Sequence, residues 1–208
     1  MPILALANSK GGGGKSTIAA CIAAELHRRK KAVSMLDADP QETLTRWHAN
    51  GGPLGQLPIH TDATEAAAEW AKRNSKDTTL IIDSAGSATR TLAAILRVAD
   101  VVLIPCRASP LDAEGAMNTM GLLQDYRRTP VNVGVVLNAT GRTILVEHIR
   151  SELKAAGMSV MKTQIGQRIA FAEAQLHGSA PCWMGKSAQK ASAEIKALTS
   201  ELLHFLKY

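Results

Sequence analysis

The sequence predicts an α/β protein with a mostly parallel, twisted sheet that carries helices on both faces. Short apolar runs alternate with helical patterns along most of the chain, and this alternation is typical of right-handed βαβ units. Aromatic residues make up only 3% of the 208 residues, so the core must be built mainly from Ala, Leu, Ile and Val. Several apolar runs end in acidic or amide residues, as strands do where a ligand binds at their carboxyl ends. We expect residues 1–208 to form a single domain.

Five apolar runs are the predicted strands, because buried parallel strands are continuously hydrophobic rather than alternating. The first, "PILALAN", stops at a glycine-rich turn, and the second, "KAVSMLDAD", ends in acidic residues. The third, "TTLIIDSAG", again ends in Asp and then Gly, and "DVVLIPC" and "VNVGVVLN" complete the set. In chain order the predicted strands span residues 2–8, 31–39, 78–86, 100–106 and 131–138.

Helices are predicted where apolar residues recur at helical spacing, as Ile18, Ile22 and Leu26 do after the first strand. The stretch 48–58 is rich in Gly and Pro and predicts a surface loop. The last helix has a narrow, Ala-containing apolar face, which favours packing on the sheet over binding to a membrane. The predicted helices span residues 15–29, 63–74, 89–98, 112–126, 143–156 and 187–207.

The charge is mildly basic, with a net value of +6 and a pI of about 9.4. Residues 142–208 account for +4 of that excess, which favours an anionic partner such as nucleic acid without establishing one. The three cysteines are far apart and form no CxxC pair, so we expect a reducing compartment rather than a disulfide framework. The sequence has no signal peptide pattern and no bilayer-spanning apolar run, and we expect a cytoplasmic protein.

The stretch "KGGGGKST", residues 10–17, has what a phosphate-binding loop needs. Glycines let backbone N–H groups turn inward around an anion, and the following helix points its positive end at the same place. The lysine before the hydroxyl pair would reach the β- and γ-phosphates, the serine would coordinate Mg²⁺, and the threonine would approach the α-phosphate. The predicted nucleotide-binding residues of this loop are Gly11, Gly12, Gly13, Gly14, Lys15, Ser16 and Thr17.

The order Lys-Gly-Gly-x-Gly-Lys-Ser departs from the general P-loop, which has glycine where this chain has Ser9. It resembles the deviant Walker A signature of the ParA/MinD family of P-loop ATPases. In that family the first lysine, here Lys10, reaches across a nucleotide-sandwich dimer to the partner's phosphates. The resemblance therefore implies ATP and Mg²⁺ as cofactors, an ATP-dependent homodimer and weak intrinsic ATP hydrolysis, with Lys10, Lys15 and an acidic residue as the catalytic set. It covers nearly the whole chain and indicates the short type, without an N-terminal helix-turn-helix domain.

Further motifs of the family match at the ends of other strands. Asp39 in "LDADPQ" matches the carboxylate that positions the attacking water, and Asp37 lies beside it, as a metal contact or as a cap for the turn. Asp83 in "LIIDSAG" matches the Walker B position and would hold Mg²⁺ directly or through water, although Ser-Ala-Gly follows where the family often has Thr-Pro. "PCRASPLD" resembles the loop that lines the adenine pocket, which implies a role for Pro110, and Asn138 matches the position that reads the adenine edge.

Three functions follow from the resemblance. The first is a partition or positioning ATPase whose ATP-bound dimer binds double-stranded DNA on the nucleoid without sequence preference and is released when a ParB-like, cargo-bound partner stimulates hydrolysis. The second is a MinD-like membrane regulator, for which "ELLHFLKY" is a poor amphipathic helix, so we expect no stable membrane anchor. The third is a metabolic P-loop enzyme with a cluster, for which Cys106 has no evident partner. The candidate DNA contacts, which are equally well explained as solvated helix faces, are Arg142, Arg150, Lys154, Arg168, Lys186 and Lys190.

Overall fold

The computed structural model describes residues 1–87, 89–126, 131–141 and 144–206, and in that part of the chain seven strands form one sheet. Every pairing between neighbouring strands is parallel. The strands are β1 (Ile3–Leu6), β2 (Val33–Ala38), β3 (Ile59–Thr61), β4 (Thr79–Ser84), β5 (Val101–Arg107), β6 (Asn132–Thr140) and β7 (Val160–Gly166). The α-helices are α1 (Lys15–Arg28), α2 (Thr43–Ala49), α3 (Ala66–Asn74), α4 (Arg90–Val98), α5 (Pro110–Tyr126), α6 (Ile144–Ala155), α7 (Ile169–Leu176) and α8 (Gln189–Leu206). Short 3-10 helices lie at Pro53–Gln56, Pro181–Trp183 and Gly185–Ala188.

The strand order β3-β2-β4-β1-β5-β6-β7 places β1 and β4 side by side near the centre of the sheet. In register, Leu6 of β1 pairs with Asp83 of β4, and Asp83 pairs on its other side with Asp37 of β2. Arg107 of β5 pairs with Asn138 of β6. Polar residues near the ends of four strands therefore share one edge of the sheet, which is the edge where open α/β sheets bind ligands.

Alternate residues of β1 face opposite layers of the molecule. Leu4 and Leu6 pack into a core with residues of α1 and α8, whereas Ile3 and Ala5 pack into a second core with residues of α3, α4, α5 and α6. Both cores consist mainly of Ala, Leu, Ile and Val side chains, as the composition requires. The predicted fold class, a parallel sheet with helices on both faces, is confirmed.

The sequence pattern does not predict β3, β7, α2 or α7. The two strands form the edges of the sheet: β3 has only three residues, and β7 leaves Lys162 and Gln164 exposed, so neither has a continuous apolar run. The prediction of a surface loop over 48–58 is wrong in part, because the stretch contains the end of α2 and a 3-10 helix. Leu54 and Leu57 in that stretch are buried in the core.

The buried Trp47 fastens the short helix α2 to the rest of the domain. Its side chain is 1% exposed, and its indole N–H donates a 2.9 Å hydrogen bond to the carbonyl oxygen of Ser179. We expect Trp47→Ala to lower the free energy of unfolding by about 3–5 kcal/mol, because it removes a large core side chain and leaves a cavity. Urea denaturation measures this difference, with Trp70→Ala as the control for a half-buried tryptophan. A loss below about 1 kcal/mol for Trp47→Ala would contradict its role in the core.

Candidate functional site: a phosphate-binding loop at the carboxyl edge of the sheet

The loop between β1 and α1 has the backbone geometry of an anion cradle. Gly12 and Gly14 adopt φ angles of 81° and 91°, which lie in the left-handed region that side chains disfavour. Gly14 caps α1 without a side-chain hydrogen bond, and the first turn of α1 contains no acidic residue. The backbone N–H groups of that turn are therefore available to a phosphate, and the helix dipole favours the same negative charge.

Two buried asparagines hold the loop against the neighbouring strands. The Nδ2 atom of Asn138 donates a 2.8 Å hydrogen bond to the carbonyl oxygen of Gly13, and that of Asn8 donates one of 2.8 Å to the carbonyl oxygen of Pro105. A side chain on Gly13 would place its Cβ 2.9 Å from the same Pro105 oxygen, so only glycine fits. Asn138 also lines the cavity described below, and the contact of its amide with adenine stays a prediction.

Lys15 lies in the centre of the site. It is the first residue of α1 and is 6% exposed. Burial lowers the pKa of its ammonium, while the nearby carboxylates of Asp83 and Asp39 raise it. A side chain on Gly86, in the loop after β4, would place its Cβ 3.2 Å from Lys15 Nζ and 2.9 Å from the Cα of Gly11. The loops that follow β1 and β4 thus meet at this lysine, as a site for polyphosphate requires.

The carboxylate of Asp83 is buried without a hydrogen-bond partner in the described part of the chain. It is 0% exposed, and neither of its oxygens has a hydrogen-bond partner among the residues that the structure describes. Burial raises its pKa to about 7, although Ser16 and Lys15 lower it. An unpaired buried carboxylate is costly, and a divalent cation or its bound water would remove that cost. The predicted metal residues Asp83 and Ser16 therefore fit a magnesium ion that binds with nucleotide.

Asp37 forms hydrogen bonds within the fold and does not line the cavity described below. Its Oδ2 atom accepts hydrogen bonds from the backbone N–H and the hydroxyl of Thr45, at 2.8 and 2.9 Å, and its Oδ1 atom accepts one from the N–H of Asp39 at 3.2 Å. Burial raises the pKa of Asp37, while the bonds from Thr45 lower it. Asp37 therefore anchors the first turn of α2 and the segment that carries Asp39, which supports the capping alternative over the metal contact.

A cavity of about 770 Å³ opens beside the loop and brings most of the predicted nucleotide residues together. Its wall includes Lys15, Ser16, Thr17 and Asp39. The wall also contains residues that were not predicted as site residues, some in the motifs at the ends of β2, β4 and β5 and others in the segment after β7. These additional wall residues include Gln41, Gly86, Arg107, Gln167, Phe171 and Gln175. Pro110 begins α5 and lies outside the wall as the described residues define it.

Lys10 also lies outside that wall. Its Nζ atom is 3.4 Å from Oδ1 of Asp112, and 40% of its side chain is exposed, against 9% for Asp112. The first lysine of the motif thus points away from the cavity that the second lysine lines.

Among the candidate DNA contacts, two arginines are engaged within the fold. Arg150 is 13% exposed at its side chain and donates a 2.6 Å hydrogen bond to the carbonyl oxygen of Met161. Arg168 forms an ion pair with Glu194 and contributes to the wall of the nucleotide cavity. Arg142 lies outside the described residues.

The three candidate lysines are exposed. Lys154 lies on α6, and Lys186 and Lys190 line a second cavity of about 580 Å³ between α7 and α8. This second cavity shares two wall residues, Gln167 and Arg168, with the nucleotide cavity.

Cys106, at the end of β5, is the cysteine nearest the candidate site in sequence position. It is fully buried, and burial, with a smaller contribution from Asp112, raises the pKa of its thiol to about 12. None of the helices in the described ranges is both long and apolar enough to span a bilayer.

A glycine-rich loop at a helix N-terminus, on the carboxyl edge of a parallel sheet, defines a P-loop nucleotide-binding protein. The chain belongs to the CobQ/CobB/MinD/ParA nucleotide binding domain family, which matches residues 4–182. The resemblance to ParA and MinD proteins is thereby confirmed.

Relatives of similar length support this assignment. The chain is 28% identical over 207 residues to the maintenance of carboxysome distribution protein A of Halothiobacillus neapolitanus, covering 96% of this chain and 95% of the relative. It is 31% identical over 180 residues to protein ParA of Rhizobium radiobacter, covering 82% and 81%. It is 28% identical to the chromosome-partitioning ATPase Soj of Thermus thermophilus, covering 92% and 93%.

Solved structures show the same fold. The complex of a variant Cyanothece McdA with ATP superposes with a TM-score of 0.78 at 18% identity, covering 97% of this chain and 96% of that one. MinD of Aquifex aeolicus superposes with a TM-score of 0.78 at 19% identity, covering 98% and 97%.

Proposed function

We propose that this protein is a single-domain ParA-type ATPase that positions a cargo in the cytoplasm by cycling on and off nucleoid DNA. In this proposal the protein binds ATP with Mg²⁺, forms a nucleotide-sandwich homodimer and binds double-stranded DNA without sequence preference. A cargo-bound, ParB-like partner then stimulates hydrolysis and releases the dimer. The names of the relatives support the general class, since they are a carboxysome distribution protein, a ParA protein and a chromosome-partitioning ATPase.

The arrangement of charges in the cavity supports ATP hydrolysis. Lys15 would bind the β- and γ-phosphates, and Ser16 and Asp83 would hold Mg²⁺. A divalent cation held by these two residues would supply positive charge against the negative charge that builds on the phosphate oxygens. Asp39 lines the same cavity, where its carboxylate would orient the attacking water.

Lys10 would supply a second cation from the partner subunit. Its exposed side chain points away from the cavity of its own chain, so it is placed to approach the phosphates of another copy. A cation that arrives only in the dimer would make hydrolysis depend on dimerisation, because it stabilises charge in the transition state.

The observation that carries the DNA part of the proposal is the wall shared by the two cavities. Gln167 and Arg168 separate the nucleotide from the exposed Lys186 and Lys190, so a nucleotide-dependent shift of this segment would reposition both lysines. Lysines bind the phosphate backbone by releasing counterions, which gives affinity without sequence preference. The four lysines of a dimer would present such a surface in the ATP state.

The test uses the variant Asp39→Ala, which should accumulate the ATP-bound dimer if Asp39 positions the water. Its binding to a non-specific DNA duplex is measured with ATP and with ADP across a salt titration. We expect binding at least about tenfold tighter with ATP, with an affinity that falls steeply as salt rises. Equal affinities in the two nucleotide states would contradict the proposal, and binding to anionic lipid vesicles in place of DNA would favour the membrane alternative.

A matched pair of double variants locates the DNA surface. Lys186→Ala with Lys190→Ala should weaken binding of the Asp39→Ala dimer about tenfold and reduce the salt slope. Lys72→Ala with Arg73→Ala removes the same charge from α3, which packs on the opposite face of the sheet, and should leave DNA affinity unchanged. A larger loss from the α3 pair would place the DNA surface on the opposite face.

A further inference from the structure

The first three turns of α5 hold the segment that carries Lys10. The backbone N–H of Ser9 donates a 2.8 Å hydrogen bond to Oγ1 of Thr119, and the Ser9 hydroxyl donates one of 3.0 Å to the carbonyl oxygen of Gly115. The N–H of Lys10 donates to Oδ1 of Asn8 at 2.9 Å. The backbone of Ser9 and Lys10 is thus held by α5 and by the side chain of Asn8.

The side chain of Lys10 lies along α5. A Cβ added to Gly115 would lie 2.9 Å from Cβ of Lys10, 3.0 Å from Oδ1 of Asn8 and 3.7 Å from Cδ of Lys10. The absence of a side chain at Gly115 therefore provides the space for the lysine stem. One turn closer to the start of the helix, Asp112 meets the ammonium at 3.4 Å.

Capping of α5 explains only one of the two oxygens of Asp112. The hydroxyl of Ser109 donates to Oδ2, and the same Ser109 oxygen accepts a 3.2 Å hydrogen bond from the N–H of Asp112. This reciprocal contact is the usual arrangement at a helix start and would form without Lys10. Oδ1 faces the ammonium of Lys10 instead, on a side chain that is 9% exposed.

We propose that Asp112 is a positioning residue for Lys10, which holds its ammonium outside the nucleotide cavity and aims it at the phosphates of a second subunit. The inference rests on the proposed ATP-dependent dimer. A lysine side chain has four rotatable bonds, and an ion pair that restricts them in the monomer lowers the entropy that dimerisation must remove. An ammonium has three N–H donors, so an ion pair with Asp112 leaves donors for the partner's phosphates. Asp112 therefore orients Lys10 without consuming its capacity to bind phosphate.

The test is the variant Asp112→Asn in the Asp39→Ala background. The amide keeps the size of the side chain and an oxygen for Ser109, but it removes the charge that faces Lys10. We expect the dissociation constant of the ATP-bound dimer, measured by analytical ultracentrifugation, to rise about tenfold. ATP affinity of the dilute monomer should change less than twofold, because neither residue lines the cavity. A dimer as tight as the parent, or tighter, would overturn the inference.

Three further variants separate positioning from helix capping. In a Lys10→Ala background, Asp112→Asn should have no additional effect on dimerisation, since Asp112 acts through that lysine. Asp112→Glu, which keeps the charge, should restore most of the lost dimer affinity. Ser109→Ala removes the capping partner and should leave the dimer as tight as the parent. A full additional loss in the Lys10→Ala background, or an equal loss from Ser109→Ala, would show that Asp112 is only a cap.

The behaviour of Asp39→Ala alone distinguishes failure of the proposed dimer from failure of the proposed role of Asp112. If Asp39→Ala stays monomeric with ATP, the proposed function fails and the role of Asp112 fails with it. If the parent dimerises and Asp112→Asn dimerises equally well, only the role of Asp112 fails.

Discussion

Lys15→Ala is expected to weaken ATP binding by about 100-fold to 1,000-fold, because truncating one partner of a buried, charged contact costs about 2–5 kcal/mol. Lys15 is 6% exposed at the start of α1 and lies where the loops after β1 and β4 meet. In this position water cannot replace the ammonium effectively, so the phosphates would lose their main cationic ligand. The helix N-terminus and the backbone N–H groups would remain as the residual phosphate site.

The measurement is a calorimetric titration with ATP in the presence of Mg²⁺, at protein concentrations where the wild type is monomeric. Circular dichroism and thermal unfolding would show that the variant is folded. Loss of Lys15 also removes a cation that interacts with Asp83, so a moderate change in thermal stability is expected and does not itself test nucleotide binding.

Lys10→Ala is the matched control for this prediction. Both lysines belong to the same loop motif, but the Nζ atom of Lys10 lies 3.4 Å from Asp112 and outside the cavity wall. We expect monomeric Lys10→Ala to bind ATP within about threefold of the wild type. This is far less than the loss of affinity that corresponds to about 2 kcal/mol, the lower end of the cost expected for Lys15→Ala. Equal losses for the two variants would contradict the division of roles, and wild-type affinity for Lys15→Ala would contradict the phosphate site itself.

The central strands are predictable from the sequence because each one is a continuous apolar run of consecutive residues. All five predicted strands, β1, β2, β4, β5 and β6, contribute side chains to both cores, and strands covered on both faces are continuously apolar. The edge strands β3 and β7 pair on one side only and tolerate polar residues, so their sequences resemble loops. β6 runs two residues past the predicted end at 138, to Thr140.

The phosphate loop is likewise predictable, because consecutive residues form it and its glycines allow the backbone conformation that the loop needs. Contacts between distant segments are not predictable in this way. Asp37 precedes a turn in the sequence, and only the structure shows that it anchors Thr45 of α2. Asp112 is an ordinary first-turn acid until α5 is placed beside Lys10, more than one hundred residues earlier in the chain. Such pairings depend on strand order, which no local pattern determines.

The second large effect concerns Asp83, whose buried carboxyl has a pKa of about 7 against an ordinary value of 3.8. An acid whose pKa is higher in the folded state stabilises the protein when protonated, and that stabilisation is lost as the pH rises through the folded pKa. In the absence of Mg²⁺ and nucleotide, we expect stability to fall as pH rises from about 4 to about 7. The shift corresponds to about 4 kcal/mol in total.

Asp83→Asn tests this prediction, because the amide stays neutral at every pH. With EDTA present, the variant should be more stable than the wild type above pH 7 and should lose much of the pH dependence. Some dependence should remain, because burial also raises the pKa of the neighbouring Asp37. Urea denaturation at several pH values between 5 and 8 measures both slopes. A wild type whose stability is flat or rises across this range, or a variant with the same slope, would contradict the prediction.

Magnesium, added with nucleotide, should make the wild type more stable than Asp83→Asn above pH 7. Ionised Asp83 would gain a ligand when Mg²⁺ and nucleotide bind, and a ligand that binds only the folded state stabilises it by mass action. Mg²⁺ added with ADP should therefore raise the stability of the wild type more at pH 8 than at pH 6, while adding little to Asp83→Asn beyond the effect of ADP with EDTA. The carboxylate that weakens the empty protein at neutral pH is then the group that makes its nucleotide affinity depend on the metal, and both properties follow from two buried oxygens without partners in the described structure.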